Sequence, residues 1–183
     1  MPGVTEAMEK YFAELDKYFN KFWGTAPSVP YSESLNKSLI VSSEDEEGYV
    51  EWKPARQTKP VDWAAAEAAS GFEICSELKE YYSSWLFLRM NGPAGKAVLE
   101  FDPVMHEDSV SEMIMTHLQY GLTAFPHSET FLLGSAQIRG NGSYAVFYDN
   151  SSSEVFCCGT ETFKKVKISD SLADAVRAIT PAV

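Results

Sequence analysis

Apolar residues recur at three- and four-residue spacing over residues 5–23, at Met8, Tyr11, Phe12, Leu15, Tyr18, Phe19 and Phe22. This spacing predicts an amphipathic helix, ended by Gly24 and Pro27. The stripe is rich in aromatics; core packing is its first reading and a partner-binding helix its second. The period then shortens. Leu39 to Val41 and Tyr49 to Trp52 read as short strands around an acidic turn over residues 42–48, and Pro54 cuts off the second. Asp62 to Ala69 is helical by composition, with Asp62 as N-cap and Gly71 as terminator. Glu77 to Ser84 adds a further turn or two.

Trp85 to Met90 and Ala97 to Phe101 flank Asn91-Gly92-Pro93-Ala94-Gly95, a hairpin signal. Ser109 and Glu112 have capping-box spacing. They open a helix with Val110, Met113, Ile114, His117, Leu118, Gly121 and Leu122 on one face. Strands follow at Thr130 to Ala136, Ser143 to Tyr148, Glu154 to Cys158 and Phe163 to Ile168. The connections are rich in turn formers, Gly140-Asn141-Gly142 and Asp149 to Ser153. A closing helix spans Ser169 to Ile179. This order predicts one α+β domain over residues 1–183, an antiparallel-rich mixed sheet packed with helices.

Charge changes the picture more than composition does. The 183 residues carry 26 acids and 15 bases, a formal charge of -11. Such a charge repels phosphates, which disfavours nucleic acid and anionic membranes as direct partners and favours something basic. The excess is uneven. Residues 1–112 hold 20 acids and 10 bases, whereas residues 113–183 hold 6 and 5. Two windows contain no base at all. Residues 40–52 carry Glu44, Asp45, Glu46, Glu47 and Glu51; residues 97–112 carry Glu100, Asp102, Glu107, Asp108 and Glu112.

Chemistry is thinly signalled. Cys75, Cys157 and Cys158 are odd in number and lack metal-ligand spacing, so they read as buried thiols in a reducing compartment. Asn141 and Asn150 begin N-x-S sequons that matter only on a secretory route. The N-terminal stretch lacks the apolar run of a signal peptide, and no segment approaches the roughly 18 apolar residues of a spanning helix. The expectation is a cytoplasmic protein. Gly140-x-Gly142-x-x-Ala145 runs into a strand rather than a helix, so it is no dinucleotide fingerprint. His106, His117 and His127 form no recognisable triad or metal set. No catalytic residue, cofactor or metal is expected, and the reading is of a protein that is not an enzyme.

Several stretches carry a resemblance. Glu129-Thr130-Phe131-Leu132-Leu133-Gly134, Gly140-Asn141-Gly142 with Ser143 to Asp149, and Glu154-Val155-Phe156 resemble the hallmark of the SUKH superfamily. The N-terminal half resembles its Syd branch, the SecY-interacting proteins. There the match lies in the aromatic first helix, Pro27-Ser28, Tyr31 to Leu35, Leu39-Ile40-Val41 and Tyr49 to Pro54. The Gly-rich hairpin is closer to general SUKH members than to Syd. The resemblance implies non-catalytic binding of a basic protein. The partner would be the cytosolic loops of the SecY channel, reached at the inner face of the membrane, or alternatively a basic nuclease toxin neutralised by an immunity protein. It makes Glu44, Asp45, Glu46, Glu47, Glu51, Glu100, Asp102, Glu107 and Asp108 the expected steering and rim residues, with Tyr49 and Trp52 as apolar anchors. Membrane contact would then be indirect, through the protein partner.

Overall fold

The computed structural model describes residues 3–138, 141–159 and 164–182. Helix α1 (Val4–Phe22) leads into a small hairpin, β1 (Ser28–Pro30) and β2 (Tyr49–Glu51). Then follow β3 (Ala55–Arg56), α2 (Trp63–Ser70), α3 (Ser76–Ser84), β4 (Trp85–Leu86), β5 (Met90–Ala94), β6 (Ala97–Phe101) and α4 (Val110–Ala124). The chain closes with β7 (Thr130–Ile138), β8 (Asn141–Asp149), β9 (Val155–Gly159), β10 (Lys165–Ser169) and α5 (Leu172–Ala178). The main sheet has six strands in the order β10-β9-β8-β7-β6-β5, and β1-β2 and β3-β4 form two small pairs. The expected α+β class is what is seen. The sheet is antiparallel-rich as expected, and every strand pairing among the described residues is antiparallel, without the parallel pair that a mixed sheet contains.

Alternation places Phe131, Leu133, Val146, Tyr148, Val155 and Cys157 in the main core, beside Met8, Tyr11 and Phe12 of α1 and Tyr81 and Tyr82 of α3. The opposite face carries a smaller cluster of Phe147, Phe156 and Cys158, capped by Phe125. Cys157 and Cys158 therefore point to opposite sides of β9, and all three cysteines are free thiols. The α1 stripe divides along its length. Val4 through Leu15 enter the core, while Phe22 at the far end is 58% exposed.

Several local predictions are met as written. Asp62 accepts from the Ala65 N–H at 3.1 Å, and Gly71 closes α2 with φ 82°. Others are redirected by distant partners. Asn91, Gly92 and Pro93 lie inside β5, and the turn falls after Ala94, which pairs with Ala97. Asn91 is held there by Tyr11, whose hydroxyl donates to its carbonyl and accepts from its N–H, both at 2.9 Å. The Ser109 capping box does not form. A 3-10 turn over Glu107–Ser109 precedes α4, and the Ser109 hydroxyl donates back to the His106 carbonyl. The expected strand at residues 39–41 is instead a 3-10 turn, Lys37–Leu39, followed by one bridge between Ile40 and Trp52. Phe163, the expected start of the last strand, and Gly140 of the Gly-rich turn lie outside the described residues.

Buried polar groups tie the layers together. Asn150 accepts from the Cys75 N–H at 2.8 Å and donates to the Glu73 carbonyl and the Glu129 carboxylate, so its sequon is built into the structure rather than displayed. His117 of α4 is 6% exposed. Its Nδ1 shares a hydrogen bond of 2.6 Å with the Tyr82 hydroxyl, and its Nε2 lies 3.4 Å from Asp102 Oδ2. Burial pushes its pKa down to about 4. Burial, and then the charge of Glu100, raises that of Asp102. Both shifts run against an ion pair, so the pair is a neutral imidazole beside a carboxylate.

The depressed histidine makes stability pH-dependent. Above pH ~6.5 His117 is neutral in both folded and unfolded chains, and its contribution is intact. As pH falls from ~6.5 towards 4, only the unfolded chain takes up the proton, and the fold loses about 2 kcal/mol by pH 5. Protonation of Asp102 works in the opposite direction once pH falls into its raised titration range. Urea unfolding at pH 7 and pH 5 reads the loss directly. A His117→Gln variant, which cannot titrate there, is expected to lose that share of the pH dependence.

Candidate protein-binding surface

The first acidic window forms the tip of the β1-β2 hairpin. Pro30 faces Tyr49 and Ser28 faces Glu51 across the pair. The returning chain runs alongside β2 on its other edge. The Val41 N–H donates to the Glu51 carbonyl and the Lys53 N–H to the Leu39 carbonyl, both at 2.9 Å. Asp45 organises the tip. Its Oδ1 accepts from the N–H groups of Glu47 (2.9 Å) and Tyr49 (2.8 Å), and Gly48 supplies the positive φ of 83° that reverses the chain. Asp45 thus serves the turn, and Glu51 serves the join to α1 by accepting from the Ala26 N–H at 3.0 Å.

The remaining acids of the window are left to solvent. Glu44, Glu46 and Glu47 are exposed and make no side-chain hydrogen bond or ion pair among the described residues. Apolar side chains accompany them. Val41 is 51% exposed, Tyr49 39% and Tyr31 43%. The register places Val41, Tyr49 and Glu51 on the outward side of this ribbon, because opposed residues share a face. The result is an apolar centre with an acidic margin, the composition of a binding patch with a charged rim. Hydrophobic patterning does not single out Val41 or Tyr31. The outward parity of Val41 follows only once Ile40 is known to face Trp52.

Trp52 is not available to a partner. It is 1% exposed and packs in the core, so the expected anchor role is corrected. Its backbone N–H donates to the Pro27 carbonyl at 2.9 Å, which makes it the root of the hairpin rather than its contact surface.

The second window is dispersed. Glu100 stands exposed on β6 opposite Ser135, without a hydrogen-bond or ion-pair partner among the described residues. Asp102 adjoins His117. Glu107 accepts from the Thr58 and Lys59 N–H groups, which holds its pKa below the usual carboxylate range, and Asp108 pairs with Lys59 Nζ at 2.7 Å. These two acids fasten the loop at residues 58–59. Asn36 and His106 pin the β1-β2 connection to this region, through the Met105 and Ser34 carbonyls at 2.9 Å. Among the described residues, no hydrogen bond or ion pair joins residues 44–47 to the second window.

Other concavities carry less. A cleft of about 350 Å³ lies between the end of α4 and the outer sheet face, lined by Tyr120, Thr123, Ala124, Leu132, Ala145, Phe147, Cys158 and Gly159. It is apolar, contains no acid or histidine, and burial raises the Cys158 thiol pKa. His106, His117 and His127 sit on separate elements, and among the described residues no three His, Cys, Asp or Glu side chains gather where they could hold a metal ion. No helix among the described residues is long and apolar enough to cross a membrane. In comparison with known proteins, no family model matches the chain and no curated protein matches it.

Proposed function

We propose that the chain is a non-catalytic, Syd-like protein-binding module. Its acidic hairpin docks on basic cytosolic loops of the SecY channel at the cytoplasmic face of the membrane. The observation that carries this reading is the hairpin tip itself, with Glu44, Glu46 and Glu47 unpaired around exposed Val41 and Tyr49. The resemblance to SecY-interacting proteins supplies the partner. Unpaired carboxylates steer a basic loop from a distance and form rim pairs on arrival, each worth about 0.2–1 kcal/mol. The tyrosine and valine supply apolar contact. Asp45 acts indirectly, by keeping the turn in shape.

The test is a pull-down of detergent-solubilised SecY. Glu44→Lys, Glu46→Lys and Glu47→Lys together are expected to weaken retention at least about tenfold, through three lost attractions and three new repulsions. Glu107→Gln with Asp108→Asn is expected to leave it unchanged, since those acids already serve Thr58 and Lys59. Retention that survives the triple reversal contradicts the proposal, as does a basic nuclease domain captured in place of SecY.

A further inference from the structure

The aromatic end of α1 is a second exposed surface with a different character. Phe22 is 58% exposed and Trp23 52%. They are not scattered. Tyr18 contacts Phe19, Phe22 and Trp23 with ring centroids 5.9, 4.9 and 5.6 Å away, and Phe19 contacts Trp23 at 5.1 Å. Four rings in edge-on and tilted contact thus form one projection, of which the outer two are open to solvent. Burying them would be favourable, and no described residue does so.

The local charge runs opposite to that of the whole molecule. Residues 17–32 contain Lys17 and Lys21 and no acid. The Lys21 ammonium lies 5.0 Å from the Phe22 ring centre. Asp16, the acid just before this stretch, is paired with Lys53 at 3.1 Å. At physiological salt the Debye length is about 8 Å, so a surface touching this tip responds first to the nearby lysines and only weakly to distant carboxylates.

We propose that this tip is a direct phospholipid contact, in which Phe22 and Trp23 enter the headgroup layer while Lys17 and Lys21 meet lipid phosphates. Tryptophan, tyrosine and phenylalanine beside lysine is a composition that favours a membrane–water interface, where the tryptophan and tyrosine rings and the lysine stems are apolar at one end and wet at the other and phenylalanine adds apolar area. An apolar protein pocket would account for the rings but not for Lys17 and Lys21 beside them; the Glu51 carboxylate also reaches this segment, where it accepts from the Ala26 N–H at 3.0 Å. The contact goes beyond the protein-binding role and does not depend on it, since it uses different residues and needs no protein partner. It brings the molecule onto the membrane by a weak, reversible hold.

Sedimentation of the full chain with vesicles of phosphatidylcholine containing about 20% phosphatidylglycerol tests this, read with brominated phosphatidylcholine as a quencher of tryptophan emission. The wild-type chain is expected to partition onto the vesicles about tenfold more strongly than Phe22→Ser/Trp23→Ser. Lys17→Gln/Lys21→Gln should weaken it several-fold. Trp23→Phe should still sediment but lose most of the quenching, which places that ring in the lipid. Far-UV circular dichroism of each variant checks that the fold is retained, as expected for side chains exposed to solvent. Equal sedimentation of wild type and Phe22→Ser/Trp23→Ser, or no sedimentation of the wild type, overturns the proposal. So does a dimer that disappears in Phe22→Ser/Trp23→Ser without any vesicle binding. SecY retention in detergent is a separate readout, and either result can fail alone.

Discussion

Replacing Trp52 by alanine is expected to lower the free energy of unfolding by about 3–5 kcal/mol, the range for deleting a large buried aromatic. The side chain is 1% exposed. Around it lie Phe12, Leu15, Pro27 and Trp85, which share a surface groove with it. Alanine would leave a cavity among residues from three other stretches of chain. Each has its own backbone bonds and cannot collapse freely into the space. The indole has one weakness, because its Nε1–H is buried without a hydrogen-bond partner. Trp52→Phe removes that orphan donor together with part of the volume, so it should cost far less, about 1–2 kcal/mol. Urea unfolding of both variants gives the two numbers. If alanine costs no more than phenylalanine, the ring is not the root of the hairpin.

The second large effect is expected at Gly121. Helix α4 approaches β7 at backbone distance here. A Cβ on Gly121 would run into the Thr130 carbonyl and the Phe131 nitrogen. Both obstacles are backbone in a paired strand, so neither can rotate aside as a side chain would. Gly121→Val is expected to cost about 3 kcal/mol or more, at or beyond the upper end for overpacking. For a chain of this length that corresponds to a fall in Tm of about 6–12 °C. The displaced helix also carries His117 away from Tyr82, so the pH dependence between pH 7 and 5 should weaken in the same variant. An unchanged Tm would show that α4 does not sit against β7 in this way.

Patterning along the chain reveals much of this fold, and it fails where another contact competes with a local signal. Helix α1, helix α2 with its Asp62 cap, and the strands from Thr130 to Cys158 depend on local periodicity and local caps, and they form where predicted. Asn91-Gly92 carries an equally strong local signal yet lies within a strand, because Tyr11, 80 positions earlier, takes both of its backbone groups. Ser109 offers a cap that the preceding 3-10 turn makes unnecessary. At Asn91 a distant contact, and at Ser109 a competing local turn, overrides a propensity worth about 1 kcal/mol.

The proposed binding surface shows the limit of sequence reading more sharply. Composition finds both base-free windows but cannot tell a free carboxylate from an engaged one. Glu107 and Glu47 look alike in sequence. Glu107 meets the amides of residues 58 and 59, almost fifty positions away, whereas the Glu47 carboxylate has no hydrogen-bond or ion-pair partner among the described residues. Trp52 and Tyr49 are likewise both aromatic residues beside acids. Strand parity turns one inward and the other outward, and that parity is set by pairing with Val29, Pro30 and Ile40.

The central claim is that a basic loop is read by the unpaired acids of the hairpin tip. Fluorescence anisotropy of a labelled, lysine- and arginine-rich peptide from a cytosolic SecY loop, titrated with the full chain from 50 to 300 mM salt, tests it most directly. The expected result is binding that weakens steeply with salt, and a Glu44→Gln/Glu46→Gln/Glu47→Gln variant whose affinity is lower and whose salt dependence is flatter. Equal affinity and equal salt dependence for the two proteins would contradict the account.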